Sequence, residues 1–187
     1  MTTKNADPWD SPAVRARIAV MSQQDPERQR FGADCHDYRL RPPLEEGVIR
    51  AFEQRLGIAL PDSFRSFVRH VADGGAGPDY GVVGLTEEID DEEALYGLYQ
   101  ECLQPGFLAA PFTYSEKTAR PYSLHGTLVI GEIGCGMFSR LVVTGPCAGQ
   151  VWLDDPDWGG FAPGPDFREW YSTWLASDPP RRGGGPS

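Results

Sequence analysis

The residues in this sequence whose types and spacing could do chemistry are few, and each has a structural reading beside the chemical one. Cys135 follows His125 by ten residues, so a thiolate and an imidazole could act as nucleophile and general base. That chemistry needs a thiol of lowered pKa and a third group to orient the ring. No local Asn or Asp signature of a thiol enzyme accompanies the pair. A cryptic Cys/His hydrolase is therefore kept as a remote alternative, and no catalytic residue is assigned. Cys35 and His36 are adjacent, but neighbouring ligands without a second pair fit no usual metal site, and a structural role is favoured. Asp154, Asp155 and Asp157 could ligate calcium or magnesium, yet the long alternating loop and distal Glu of a calcium site are missing. An exposed acidic turn is expected there instead. Gly131, Gly134 and Gly136 form a glycine-rich corner, either a phosphate cradle or a tight bend. The bend is favoured, because no Lys-Ser/Thr follows and no helix opens after it. No metal and no cofactor is expected.

These residues lie on or beside the most regular stretch of the chain, 126–155, GTLVIGEIGCGMFSRLVVTGPCAGQVWLDD. Three strands read out of it: 127–130, 138–144 with Ser139 and Arg140 inside an apolar run, and 150–154, where Val151 and Leu153 alternate with Trp152 and Asp154. Gly145, Pro146 and Gly149 supply turn chemistry over a loop too short for a parallel crossover, so the last two strands form a hairpin.

Helical patterns surround this stretch. Over 44–56 Val48, Ile49, Phe52 and Leu56 share a face and Gly57 is the stop. Pro61 and Asp62 open a second helix whose stripe is Phe64, Phe67, Val68 and Val71, with His70 outside it on the surface. Gly74 and Gly75 end that helix, Gly77 and Pro78 turn the chain, and 80–85 begins a strand. After an acidic lead-in, Leu95, Leu98, Tyr99 and Cys102 mark a further helix closed by Pro105 and Gly106. The segment 111–126 is loop-rich. Asp166 caps a last helix with Glu169 three residues on, and its stripe of Phe167, Trp170, Tyr171, Trp174 and Leu175 is expected to cover a sheet face. Near the start, 12–21 forms a helix with Val14, Ile18 and Met21 on one side, packed on the domain rather than separate from it. Helices and strands are thus segregated, which defines an α+β class: one domain, with an N-terminal helical pair and a C-terminal helix on a mostly antiparallel sheet.

The 187 residues suffice for one domain with a real core. Residues 1–43 are expected to be an N-terminal extension, 44–176 the domain, and 177–187, which lack apolar content, a disordered tail. Lys and Arg number 17 against 27 Asp and Glu, a formal charge of -10, so polyphosphate and anionic lipid are repelled and a basic partner is attracted. Nucleic acid and membrane surfaces are accordingly not expected partners. The polar start has no secretory pattern and no apolar run reaches membrane length, so a cytoplasmic location and a monomer are expected. Four isolated cysteines then read as buried small hydrophobes.

The motifs LPDSFRSFV, GGAGPDYG, GTLVIGEIGCG, LVVTGPCAGQVWLDD and FREWYSTWL occur in that order at compatible spacings. Together they resemble the SUKH superfamily, in its bacterial SMI/KNR-type branch, over roughly 44–175. The resemblance implies a protein-binding platform rather than an enzyme. Many members look like immunity proteins that bind and block a cognate toxin, often a nuclease; an intracellular adaptor or regulatory scaffold is the alternative. It carries no catalytic residues over to this chain. Charge then points to Glu87, Glu88, Asp90 and Asp91, and to Asp154, Asp155 and Asp157, as an acidic rim for a basic toxin, with Trp152 and Trp158 as aromatic anchors.

Overall fold

A computed structural model describes residues 9–90, 94–114, 123–155 and 160–177. Its sheet is a four-stranded antiparallel meander in the order β1 (Thr127–Gly134), β2 (Met137–Val142), β3 (Val151–Asp155) and β4 (Gly160–Ala162). Six helices accompany it among the described residues: α1 (Ser11–Gln24), α2 (Ala33–His36), α3 (Glu46–Leu56), α4 (Asp62–His70), α5 (Ala94–Cys102) and α6 (Phe167–Ala176). The class is α+β in a single domain.

The glycine-rich corner is the β1–β2 hairpin. β1 runs on past Ile130 through Gly131 and Gly134, with two register shifts, and Gly134 pairs with Met137. The two loop residues, Cys135 and Gly136, both have positive φ, 54° and 76°, the twist that a two-residue turn needs to close right-twisted strands. A strand follows the glycines, not a helix. The expected β2–β3 hairpin forms, with Arg140 opposite Trp152 and Phe138 opposite Asp154. β4 carries too few residues to have been read from a pattern. The expected strand over 80–85 is instead an irregular flank: Val83 donates to Ile130 O (2.8 Å) and Tyr80 to Glu132 O (3.2 Å), and Val82 makes an isolated bridge to Gly75. Gly81 and Gly84 leave this segment without the side chains that sustain a ladder.

The helices divide around the sheet. α5 lies along β1 with Leu95, Tyr99 and Cys102 buried. α6 touches the sheet at its start, where Phe167 donates to Gly149 O (2.9 Å), while the helix itself packs against α4 and α1. Phe67, Phe167 and Tyr171 interlock there, with ring centroids 5.3 Å (Phe67–Phe167) and 4.7 Å (Phe67–Tyr171) apart. Asp166 caps α6 through Arg168 N (2.8 Å) and also accepts from the Ser63 hydroxyl (3.1 Å), which ties the starts of α6 and α4 together. In α3, Ile49, Phe52 and Leu56 point inward, whereas Val48 is exposed, one step off the stripe.

The extension belongs to the same core. Trp9, Val14, Ile18, Met21 and Tyr38 are buried in the main cluster, and the Trp9 indole donates to Ser63 O (3.0 Å) while standing edge-on to Phe67 and Tyr171. Arg17 donates to Leu175 O (2.7 Å) and Arg30 to Ser177 O (3.1 Å). The last carbonyls of α6, which have no helical partner, are thereby satisfied by cations where the helix dipole favours them. Deleting residues 1–43 should therefore abolish cooperative folding, since each large side chain lost contributes about 1.5–3 kcal/mol against a total of roughly 5–15 kcal/mol. Circular dichroism and urea melts of the truncated protein check this; an unchanged midpoint would make the extension an appendage.

Candidate functional site

Arg140 is the largest fully buried side chain, 0 % exposed at the centre of β2. Its Nε donates to Asp154 Oδ2 at 2.6 Å, and a terminal nitrogen lies 3.8 Å from the Cys102 thiol of α5. Arg140 faces Trp152 across the ladder and Phe138 faces Asp154, so the two charges are diagonal neighbours on one sheet face. The other terminal nitrogen, NH2, has no hydrogen-bond partner among the described residues. Asp154, at 4 % exposure, is thus the counter-ion of a buried guanidinium and not a rim carboxylate. Alternation along 150–154 placed it opposite the core; both faces of the sheet are covered, and that is why the alternation misled.

The same covering removes Trp152 from the surface. At 7 % exposure it joins Phe112, Val142 and Phe161 in a second cluster, 5.1 Å from the Phe112 ring, and its Nε1 donates to Gln150 Oε1 at 3.0 Å. Of the other expected rim residues, Asp155 is half-buried and pairs with Gly160 in the β3–β4 ladder. Glu87 is half-buried and accepts from Gly84 N (2.8 Å). Glu88 and Asp90 are exposed. Asp91, Asp157 and Trp158 lie outside the described residues. The two acidic groups therefore do not converge into one exposed rim of carboxylates among the described residues. No group of His, Cys, Asp and Glu among those residues could hold a metal ion.

His125 and Cys135 sit at opposite ends of β1, a strand of eight residues and so on the order of 25 Å long. They cannot share a proton. His125 instead has Nδ1 2.8 Å from the Ser123 hydroxyl and its ring against Phe107. Cys135 is exposed at the hairpin tip and Cys35 is exposed on α2; Cys147 is half-buried, and Cys102 is the one fully buried thiol. Burial and the Asp34 carboxylate push the Cys35 thiol up, away from a reactive thiolate. His36 is a core residue: its Nδ1 accepts from Tyr38 N (3.0 Å), its ring meets Trp174 edge-on, and desolvation lowers its pKa to about 4.

Sequence reading passed over Phe31 and Tyr80, whose rings stand exposed with centroids 5.4 Å apart. The available signal was one aromatic inside the polar run DPERQRFGADC, where no core periodicity accounts for it.

The fold is a single antiparallel meander with six helices among the described residues. The profile of the SMI1 / KNR4 family (SUKH-1) matches residues 43–173, well over half the chain, and the protein belongs to that family. A search among curated proteins finds no match. No helix among the described residues is long and apolar enough to cross a membrane.

Two outcomes follow from the buried groups. Asp154→Asn leaves the Arg140 charge uncompensated and should cost about 3–5 kcal/mol, whereas Arg140→Met with Asp154→Leu should be near neutral; urea titrations of both variants measure the difference, and a wild-type midpoint for Asp154→Asn would refute the pairing. His36 titrates near 6.5 when unfolded and at about 4 when folded. The unfolded chain binds the extra proton between those values, so this stability is whole above pH 6.5 and is lost as pH falls toward 4. His36→Asn, which keeps an acceptor for Tyr38 N, should flatten the unfolding free energy across that window.

Proposed function

We propose that this protein is a non-enzymatic binding module of the immunity type, which binds a cognate toxin domain in the cytoplasm and blocks it. The observation that carries the reading is membership of the SMI1 / KNR4 family (SUKH-1) across residues 43–173. The formal charge of -10 supports a basic partner, and a nuclease is the toxin class whose substrate-binding face is necessarily cationic. Glu88 and Asp90, exposed beside the α5 start, are the carboxylates best placed to steer such a face. The motifs that carry the family belong to the scaffold: the α4 stripe, the hairpin glycines and the α6 stripe are buried or structural.

The test is the product of a toxin gene adjacent to this one. Co-expression should rescue growth and the two purified chains should form a stable complex; failure of both favours an adaptor. Glu88→Gln with Asp90→Asn should slow association roughly three- to tenfold at low salt, change dissociation little and flatten the salt dependence. Surface-resonance kinetics at two ionic strengths read this, and an unchanged on-rate removes the loop from the interface.

A further inference from the structure

A groove of about 310 Å3 runs along α3, between that helix and the segment at Leu85 and Thr86. Leu44, Val48, Ala51 and Phe52 line it from the helix side, and Arg55 is the one charged residue in its lining. α3 already commits Ile49, Phe52 and Leu56 to the core. Val48 and Ala51 stand exposed beside that stripe, Val48 at 43 %. Leu44, Val48, Ala51 and Arg55 follow one another at spacings of four, three and four, which is the spacing of a seam that a second helix covers. A helix face meant for water has no use for it.

The charges of α3 choose the occupant. Glu46 pairs with Arg50 (2.9 Å) and Arg65 (2.7 Å), and Glu53 pairs with Arg65 (3.1 Å), so these carboxylates and Arg50 are engaged within the chain. Glu45 and Arg55 are left, opposite in sign at opposite ends of the helix. Glu45, the N-cap residue, makes no side-chain capping hydrogen bond, Arg55 rests over the Phe52 ring (5.6 Å), and neither has an ion-pair partner among the described residues. A basic partner would meet Arg55 as a like charge in an otherwise apolar groove, which costs affinity. The groove fits instead a helix that brings apolar side chains to its middle and a carboxylate to its Arg55 end.

α3 of a second copy, laid antiparallel, supplies both. A two-fold axis between Val48 and Ala51 sets each Val48 against Ala51 of the second copy and brings each Glu45 within one residue of Arg55 across the interface. Glu45 and Arg55 are about 15 Å apart along either helix, so both pairs close at once. A parallel arrangement would oppose like charge to like.

We propose that α3 and its groove form an isologous homodimer interface, in which two antiparallel α3 helices share the Val48–Ala51 seam and close it with two Glu45–Arg55 pairs. It goes beyond the toxin-binding reading and does not rest on it, and it replaces the monomer expected from the sequence. One short helix per copy makes a small interface and a weak dimer. The formal charge of -10 on each chain opposes association, but at physiological salt that repulsion is screened beyond about 8 Å and the local pairs decide.

Sedimentation equilibrium of the full chain, from about 5 to about 500 µM in roughly 0.15 M salt, should show the mass rising from 20.6 kDa toward twice that, with a dissociation constant on the order of 10–100 µM. Val48→Lys should raise that constant at least about tenfold while the unfolding midpoint holds, because the side chain is exposed in the single chain. Glu45→Arg and Arg55→Glu should each weaken association about five- to tenfold, and an equimolar mixture of the two should recover it, since the mixed dimer restores both pairs. A chain that stays monomeric throughout overturns the proposal, as does a dimer indifferent to Val48→Lys or a mixture that fails to recombine. If Val48→Lys leaves the mass unchanged and abolishes binding of the product of an adjacent toxin gene, the groove belongs to that partner and the proposal falls while the immunity reading stands. A dimer with recombining variants in a protein that neutralises no toxin supports the proposal and sinks the immunity reading alone.

Discussion

The arrangement of the sheet depends on one buried charge. A guanidinium at the centre of β2, fully removed from water, is tolerable only where a carboxylate meets it, and Asp154 of β3 does so at 2.6 Å. Because Arg140 and Asp154 are diagonal neighbours, a slip of one residue between β2 and β3 would put them on opposite faces. The pair therefore penalises the one-residue slips on either side of the observed register. It also dictates what lies above: α5 must cover that face to exclude water from the pair, and it does so with Cys102, a soft acceptor 3.8 Å from the guanidinium. A sheet fixed in this way holds the β1–β2 hairpin, and with it Gly134 against Tyr80, in one place.

The extension completes what the sheet begins. α6 packs on α4 and α1 rather than standing alone, and its last carbonyls are met by Arg17 and Arg30 from the other end of the chain. Trp9 fills the space between α4 and α6, touching Phe67, Phe167 and Tyr171. The span matched by the family begins after Trp9, Arg17 and Arg30, yet the core does not divide there. The helices α1 and α6 close on each other from opposite ends of the described chain, contacts of high sequence separation.

Local pattern revealed those elements whose neighbours lie within a few residues. α3, α4, α5 and α6 were legible because apolar spacing and glycine or proline stops act inside a helix, and the β2–β3 hairpin because its turn is written in Gly145, Pro146 and Gly149. Burial set by distant chain was not legible. Trp152 and Asp154 alternate with apolar neighbours as an exposed face would, and only the second cluster and α5 make that face interior. The segment after Pro78 has strand composition, but its two glycines break the ladder. Cys35 and Cys135 looked like core thiols until tertiary structure put both on the surface. At the candidate site Glu88 and Asp90 lie exposed, while Phe31, marked only by its place in a polar run, could not be joined to Tyr80, which is distant in sequence.

Under the proposed binding role, long-range charge and short-range contacts would act on two length scales. A surplus of ten negative charges attracts any basic protein, but at physiological salt the attraction fades over about 8 Å and cannot tell one basic surface from another. Discrimination needs contacts that are short, rigid and costly to mismatch. In this fold such contacts cannot come from the scaffold motifs, which are committed to the core. They can come from a place where separate parts of the chain pin exposed groups against one another. At the junction of the extension with the β1–β2 hairpin, Gly32 closes on Asp79 and Gly134 on Tyr80, and the hairpin belongs to the sheet in which Arg140 meets Asp154.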